Sequence, residues 1–437
     1  MYLTTEEEKM LKGEMGSSRQ WAMEYLVKYS EALKAERFVK ASSVSGSFSL
    51  RLKDEMPPEA YEDLLKKGYP VPLYSHLQPE MEFFNEAGYT LEEIKEQRET
   101  NKICGQVGSY LCGSCAPYIV GWIPVFGTIA PTGESSHVPY QNSVFGARSN
   151  KESLSLSRIA IAGRVPYCGL YTDEGRKGTI QVKVETELEE EADWGAMGDW
   201  VGRLHKGRPS NGLGGDIPVF TGIERFGDVR VEHLKGLGGA VATTGDCGMY
   251  HIVGYTPEAH TLEMAFQDDK PLETVTFGKK ELKESYDQIS SHGPDRVDAV
   301  VFGCPHYTIH QLTSVARLLE GKKVKKGVKF WILTPPFHRE MARLTGIYDI
   351  IRDSGALILS HCWGMNLHEP YLIPSWEILP ERDTPPKTPT SLVIATDSPK
   401  VCFYAPMLWR GMVDVWFGKM KDCVNAALTG KWNTREN

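Results

Sequence analysis

No run in the 437 residues is long and apolar enough to span a bilayer, so a membrane-embedded protein is not expected. The opening Met1-Tyr2-Leu3-Thr4-Thr5-Glu6-Glu7-Glu8 has no basic segment followed by an apolar core. It therefore does not read as a secretory signal, and a cytoplasmic location is expected. Positive charge is scarce: 49 Lys and Arg stand against 57 Asp and Glu, for a formal net charge of −8. That argues against nucleic acid or an anionic membrane as partner, since both want a basic face. A local basic pocket for a small anion stays open. The Gly-rich segments Gly212–Gly215, Lys235–Gly239 and Thr243–Gly248 carry neither a dinucleotide fingerprint nor a P-loop Lys-Ser/Thr, and they read as tight loops and close helix packing. No internal repeat is evident. Nine cysteines is an odd count, and without a secretory signal they are read as thiols or metal ligands rather than a disulfide framework.

What is present is an ordinary globular composition, 41% hydrophobic and 24% charged, in a chain long enough for more than one lobe. Thr4 or Thr5, with glutamate three residues on, forms a capping-box pattern, and a second helix is expected from Ser17 to about Ala35. Amphipathic helices are expected at 58–67 and 90–100. The hydroxyl-rich stretch Ser42–Ser49 reads either as a solvated loop or as a strand end facing substrate. The densest chemistry lies between Leu111 and Asn150. Cys112-Gly113-Ser114-Cys115 is followed there by a Gly- and Pro-broken apolar run, then Gly133-Glu134-Ser135-Ser136-His137 and Asn142 to Asn150. Polar groups on irregular backbone held by an apolar scaffold suit a binding site; a plain loop with buried cysteines is the alternative. Farther on, Thr179–Val184 alternates as a strand, and the acidic run Glu185–Asp193 reads as solvated surface.

The last third is the clearest. Val297–Gly303, Val328–Thr334, Ala356–Ser360 and Ser391–Ala395 are short apolar runs separated by helical patterns at Thr308–Leu319 and about Pro336–Asp353. Strands alternating with helices predict a doubly wound parallel sheet. We divide the chain into an N-terminal α/β part (1–280), a C-terminal doubly wound α/β lobe (281–425) and a tail (426–437). Ligands gather outside the carboxyl ends of such strands. Cys304-Pro305-His306 follows the first strand, His361-Cys362 the third and Thr396-Asp397-Ser398-Pro399-Lys400 the fourth. Two thiols, two histidines and a polar turn would then share one rim, a place for a metal or cluster.

These motifs are similar to those of a known family. Ser114-Cys115-Ala116-Pro117-Tyr118, Gly133-Glu134-Ser135-Ser136, Gln141–Arg148, Gly254-Tyr255-Thr256-Pro257-Glu258-Ala259, Gly303-Cys304-Pro305-His306 and the Thr396–Lys400 turn, in this order, resemble the aconitase X family over nearly the whole chain. The resemblance implies an aconitase-like α/β fold of several lobes around a central cleft, and a hydro-lyase with an iron–sulfur cluster, [4Fe-4S] or [2Fe-2S]. It implies Cys115, Cys304 and Cys362 as cluster ligands, with Cys112 the rival to Cys115. Soft thiolates suit such a cluster, and an iron with an open position acts as a Lewis acid on a leaving hydroxyl. Cys104, Cys168, Cys247, Cys402 and Cys423 are expected to be packed thiols.

The remaining roles are assigned on residue type. Glu134, Ser135, Ser136 and His306 are the candidate catalytic groups. Ser45, Asn142, Arg148, Ser398 and Lys400 are the candidate substrate-binding groups, with Arg148 offering a fork for a carboxylate or serving in a structural ion pair. His251 is a further candidate donor. The resemblance implies a large catalytic subunit that lacks the swivelling domain and needs a small partner carrying it, together with the catalytic base. Substrate is expected to be a small hydroxy acid, cis-3-hydroxy-L-proline first. Phosphomevalonate is the alternative, and a non-catalytic cluster-binding regulatory subunit is the alternative of another kind. The Ser42–Ser47 loop lacks the histidine expected of archaeal phosphomevalonate members, and beyond Arg148, Arg176 and Lys177 no cations are assigned to hold a phosphate.

Overall fold

The computed structural model describes residues 1–46, 52–76, 91–204, 215–226, 228–360, 392–408 and 413–433. Cys362, His361, Gly212–Gly214 and the Ser47–Ser49 end of the hydroxyl-rich stretch lie outside the described residues.

Three parallel sheets organise the fold. Strands β2 (Val44–Gly46), β3 (Leu73–Ser75) and β4 (Ser109–Leu111) pair in that order, each parallel to its neighbour. A short antiparallel ladder of β1 (Phe38–Lys40) with β5 (Arg164–Pro166) closes the first region. The second sheet runs β8-β7-β6-β9, from β6 (Ile180–Val184), β7 (Pro218–Thr221), β8 (His251–Ile252) and β9 (Glu273–Phe277). The third runs β12-β11-β10-β13-β14, from β10 (Ala299–Phe302), β11 (Lys329–Leu333), β12 (Leu357–Leu359), β13 (Leu392–Thr396) and β14 (Val413–Phe417). Order reverses between β10 and β13, which makes the crevice beyond their carboxyl ends the topological switch point.

The four apolar runs of the last third form β10 to β13 as expected, and Val413–Phe417 adds a fifth strand. Val300, Val301 and Phe302 are fully buried. Removing each such side chain from water stabilises by roughly 1.5–3 kcal/mol, which is why the run is apolar on both faces. Ile180–Val184 is a strand with alternating burial, and the Thr4 capping box is formed, its side chain accepting from the Glu7 amide.

Three expectations are corrected. Lys235–Gly239 and Thr243–Gly245 are not loops but the interior of one helix, Val231–Gly245, which packs along the helix Glu191–Leu204. Glycine lowers helix propensity, yet here it lets two helices approach closely, so packing overrides the local preference. The expected helix 336–353 is two, Pro336–Leu344 and Ile347–Asp353, divided at Gly346 with φ +74°. The acidic run is not all solvated surface: Asp193 is 2% exposed, and its Oδ2 accepts from the amides of Glu189 and Glu190 at 2.9 and 3.0 Å, capping the helix start. Among the described residues no helix is long and apolar enough to cross a membrane.

Candidate active site

The carboxyl ends of the first and third sheets meet at one place. Ser45 lies in β2, and His76 directly follows β3; Ser45 Oγ is 2.8 Å from His76 Nε2, both side chains buried. The Ser45 amide donates to the Pro131 carbonyl at 2.9 Å, and the Gly133 amide donates back to the Ser45 carbonyl at 3.1 Å. The strand end therefore fixes the start of the Glu134 turn, and the hydroxyl-rich stretch is, as far as Gly46, a buried strand end rather than a solvated loop.

At that turn Glu134 Oε1 accepts from Ser135 Oγ at 3.3 Å, from the Ser136 amide at 3.2 Å and from Ser136 Oγ at 3.1 Å. Lys400 Nζ closes the group, 2.6 Å from Glu134 Oε1 and 3.2 Å from Ser135 Oγ. Burial works against both charges. Lys400 and His76 outweigh it for Glu134, whose carboxyl is held well below the usual carboxylate range. For Lys400, Glu134 first and then Cys304 and Cys115 outweigh it and push the ammonium upward. Both cysteines thus lie within the field of one ammonium. Burial lowers His76 to about 4, so its imidazole is neutral near pH 7.

Backbone geometry places the third-sheet residues. Gly303, directly after β10, has φ +94°, and a Cβ there would sit 2.1 Å from the Leu333 carbonyl oxygen, so only glycine allows this turn into Cys304. Ser398, after β13, donates from Oγ to the Cys304 carbonyl. Gly239 brings the helix Val231–Gly245 in: its Cβ position lies 3.3 Å from Pro305 Cγ and 3.7 Å from Ser136 Cβ. Lys235, on the same helix and 2% exposed, donates to the His306 carbonyl and to Gln311 Oε1, each at 2.7 Å. A cavity of about 30 Å³ lies behind, bordered by Lys235, Cys304, Asp397 and Lys400.

Ser45, Glu134, Ser135, Ser136, Cys115, Cys304, Ser398 and Lys400 are therefore brought together. His306 is buried beside them, and its carbonyl holds Lys235. Asn142 and Arg148 are occupied elsewhere. Asn142 Nδ2 donates to the Ser149 and Gly248 carbonyls at 2.8 Å, and its Oδ1 accepts from the Ser149 amide and Arg176 Nη1. Arg148 forks onto the Asp173 carboxylate and the Tyr171 carbonyl, which is the structural ion pair weighed for it. His251 Nε2 meets the Arg176 carbonyl at 2.9 Å.

Sequence reasoning gave no role to His76, Lys235 or His137. His76 stands just past β3 as Cys304 stands just past β10, but the strand before it is only three residues long. Lys235 lay hidden in a Gly-rich segment taken for a loop. His137 is fully buried, with Nδ1 3.1 Å from Thr132 Oγ1 and Nε2 without a hydrogen-bond partner among the described residues.

Among the described residues no three His, Cys, Asp or Glu side chains form a metal-holding group. The donor set nevertheless fits a thiolate-bound cluster. Cys115 and Cys304 form no disulfide, and both act on the Lys400 ammonium electrostatically. Cys112 is set apart: its Sγ donates to the Ser75 carbonyl at 3.0 Å, and burial pushes its thiol up to about 11. Cys104, Cys247, Cys402 and Cys423 are buried free thiols, and Cys168 is half-buried.

Comparison with known proteins gives this geometry its context. Models of the first, second and third domains of aconitase X match residues 1–174, 178–287 and 297–429. The chain is 33% identical to the phosphomevalonate dehydratase large subunit of Thermococcus kodakarensis, over 83% of this chain and 89% of that one. It is 30% identical to the cis-3-hydroxy-L-proline dehydratase of Pseudomonas aeruginosa, over 73% of this chain and 51% of that one. The crystal structure of Thermococcus kodakaraensis aconitase X in its holo form superposes with a TM-score of 0.76 at 27% identity, covering 98% of this chain and all of that one. The expected aconitase-like α/β fold is borne out, and the chain belongs to the aconitase X family as a hydro-lyase of that type.

Proposed function

We propose that this chain is the large catalytic subunit of a cluster-dependent dehydratase acting in the cytoplasm on a small hydroxy acid, cis-3-hydroxy-L-proline first. One observation carries the reading: Lys400 Nζ, from the turn after β13, is 2.6 Å from Glu134 Oε1, which joins the Glu134 turn to the strand end that carries Cys304. Bound by Cys115, Cys304 and Cys362, an iron–sulfur cluster would supply Lewis acidity toward a leaving hydroxyl.

The chain's own residues supply the rest. Lys400 and Ser135 offer the cationic and hydroxyl donors that a substrate carboxylate requires, while Glu134 fixes the ammonium in place. His76 and Ser45 share one proton between Nε2 and Oγ, and the neutral imidazole is in the form that takes a proton. Ser136 and Ser398 hold the Glu134 turn and the Cys304 backbone. Four relatives named as large subunits, each covered over 87% or more of its length, support a separate small subunit. That subunit would bring a swivelling domain, which closes the cleft against water and carries the base.

Hydroxyproline is preferred because Lys400 and Ser135 provide for one carboxylate, while the further cations that a phosphate would need are committed elsewhere. Arg148 meets Asp173 and Arg176 meets Glu258. A phosphate wants uncommitted donors. The second reading, phosphomevalonate, is favoured by the names of the relatives. Incubating the anaerobically reconstituted two-subunit protein with each substrate, and following product by mass spectrometry, decides between them. Turnover of hydroxyproline is expected. Turnover of phosphomevalonate alone overturns the substrate, and turnover by a Lys400→Met variant at the wild-type rate overturns the site.

A further inference from the structure

A second cavity, open and of about 430 Å³, lies on the far side of the wall formed by Glu191 and Asp397. His310, Ser314 and Arg317 are spaced at i, i+4 and i+7 on the helix Ile309–Leu319, which puts them on one face, and all three line this cavity. Arg230 lines it as well. Its Nη1 lies 3.0 Å from His310 Nε2 and its Nη2 3.1 Å from His233 Nε2, so both contacts are imidazoles and neither is a carboxylate. Lys421, from the start of the helix Met420–Thr429, completes the lining. Among the described residues, the side chains of Arg317 and Lys421 make no hydrogen bond or ion pair.

Three cations without an anionic partner converging on one cavity are unexpected in a chain of net charge −8. Like charges repel, and their gathering needs compensation. The acidic side of the cavity does not provide it. Glu189 is taken by Lys419 at 2.8 Å, and the carboxyl of Glu190, which also lines the cavity, is raised by burial. Glu191 accepts from Gln311 Nε2 and Asp397 from the Tyr307 hydroxyl, and burial raises the two carboxyls to about 8 and about 6.

We propose that this cavity binds a small multivalent oxyanion, held by Arg230 and Arg317 as guanidinium forks, with Lys421 and Ser314 as further donors. Planar guanidinium groups suit phosphoryl and carboxylate oxygens alike. The inference does not depend on the reaction at the cysteine site, since none of these four residues belongs to it.

The test is titration calorimetry of the full chain at low ionic strength, with pyrophosphate in one arm and citrate in the other. Saturable one-to-one binding of at least one of the two is expected; pyrophosphate alone assigns a phosphoryl ligand and citrate alone a polycarboxylate. Arg230→Ala and Arg317→Ala should each weaken binding tenfold or more, with melting temperatures near that of the parent. Lys95→Ala, on a helix that does not line the cavity, should leave it unchanged. Raising the salt should weaken binding, because the donors are exposed. Absence of saturable binding in both arms overturns the proposal. So does equal affinity in the parent and the Arg230→Ala/Arg317→Ala double variant, which would place the anion elsewhere.

Discussion

Ser45 Oγ and His76 Nε2 stand 2.8 Å apart at the ends of adjacent parallel strands, a buried hydroxyl–imidazole pair facing the Glu134 turn. Burial holds His76 at about 4 against an ordinary 6.5. The unfolded chain therefore takes up the proton first, and the folded state loses stability as pH falls from about 6.5 toward 4. In His76→Gln that slope should shrink, leaving the part due to the other buried histidines, His137, His233, His251 and His338. Urea denaturation at pH 7 and pH 5 measures it; an unchanged difference between the two pH values would mean that His76 is not buried in its neutral form. Turnover of the same variant should drop by about 100-fold if the imidazole moves a proton.

The cysteines should separate by iron content. After anaerobic reconstitution, Cys115→Ser and Cys304→Ser should hold much less iron and sulfide than the parent, because a hard alkoxide is a poor cluster ligand. Cys112→Ser should keep its iron, since that thiol is committed to the Ser75 carbonyl. Metal analysis with visible absorption reads all three, and full loading of Cys304→Ser would remove that residue from the ligand set.

Lys400→Met should cost about 2–3 kcal/mol of stability, because it strands the Glu134 carboxylate in a site where that side chain is only 23% exposed. The Glu134→Gln/Lys400→Met double variant should recover part of the loss, and a double-mutant cycle by chemical denaturation gives the coupling. The pair's contribution has a definite pH window. Glu134, held below its ordinary 4.5, stabilises above that value and ceases to as pH falls through its folded pKa. Lys400, held above its ordinary 10.5, stabilises below that value and ceases to as pH rises through its folded pKa. The coupling should be level between about pH 5 and pH 10.

Arg176→Met should destabilise by about 3–5 kcal/mol without touching the cysteine site. Its side chain is fully buried; Nη2 lies 2.5 Å from Glu258 Oε1, and Nη1 lies 2.9 Å from Asn142 Oδ1. Thermal melting should show the loss, with iron content per folded chain unchanged.

The third sheet was legible because its strands are buried on both faces and so read as plain apolar runs, and the placement rule then led to Cys304 and Lys400. The first sheet was not. Its strands are three residues each, too short for periodicity to register, so His76 passed unnoticed although it stands just past a strand as Cys304 does. Glu134 and Ser135 could be singled out by residue type, but their union with Lys400 depends on how two lobes dock, which no local pattern records. Arg148 shows the opposite limit: guanidinium chemistry suits a substrate carboxylate and Asp173 equally well, and its pairing with Asp173 is visible only in the fold.

Glu134 and Lys400 are 266 positions apart in the chain. At a synthesis rate of roughly 5–20 residues per second, the glutamate leaves the ribosome about 13–50 s before its lysine exists. Throughout that interval the first lobe carries an acid with no counter-charge and an unclosed set of thiols. The nascent lobe therefore cannot assemble the Glu134–Lys400 site early, and completion of the site is timed by the last strands to be made.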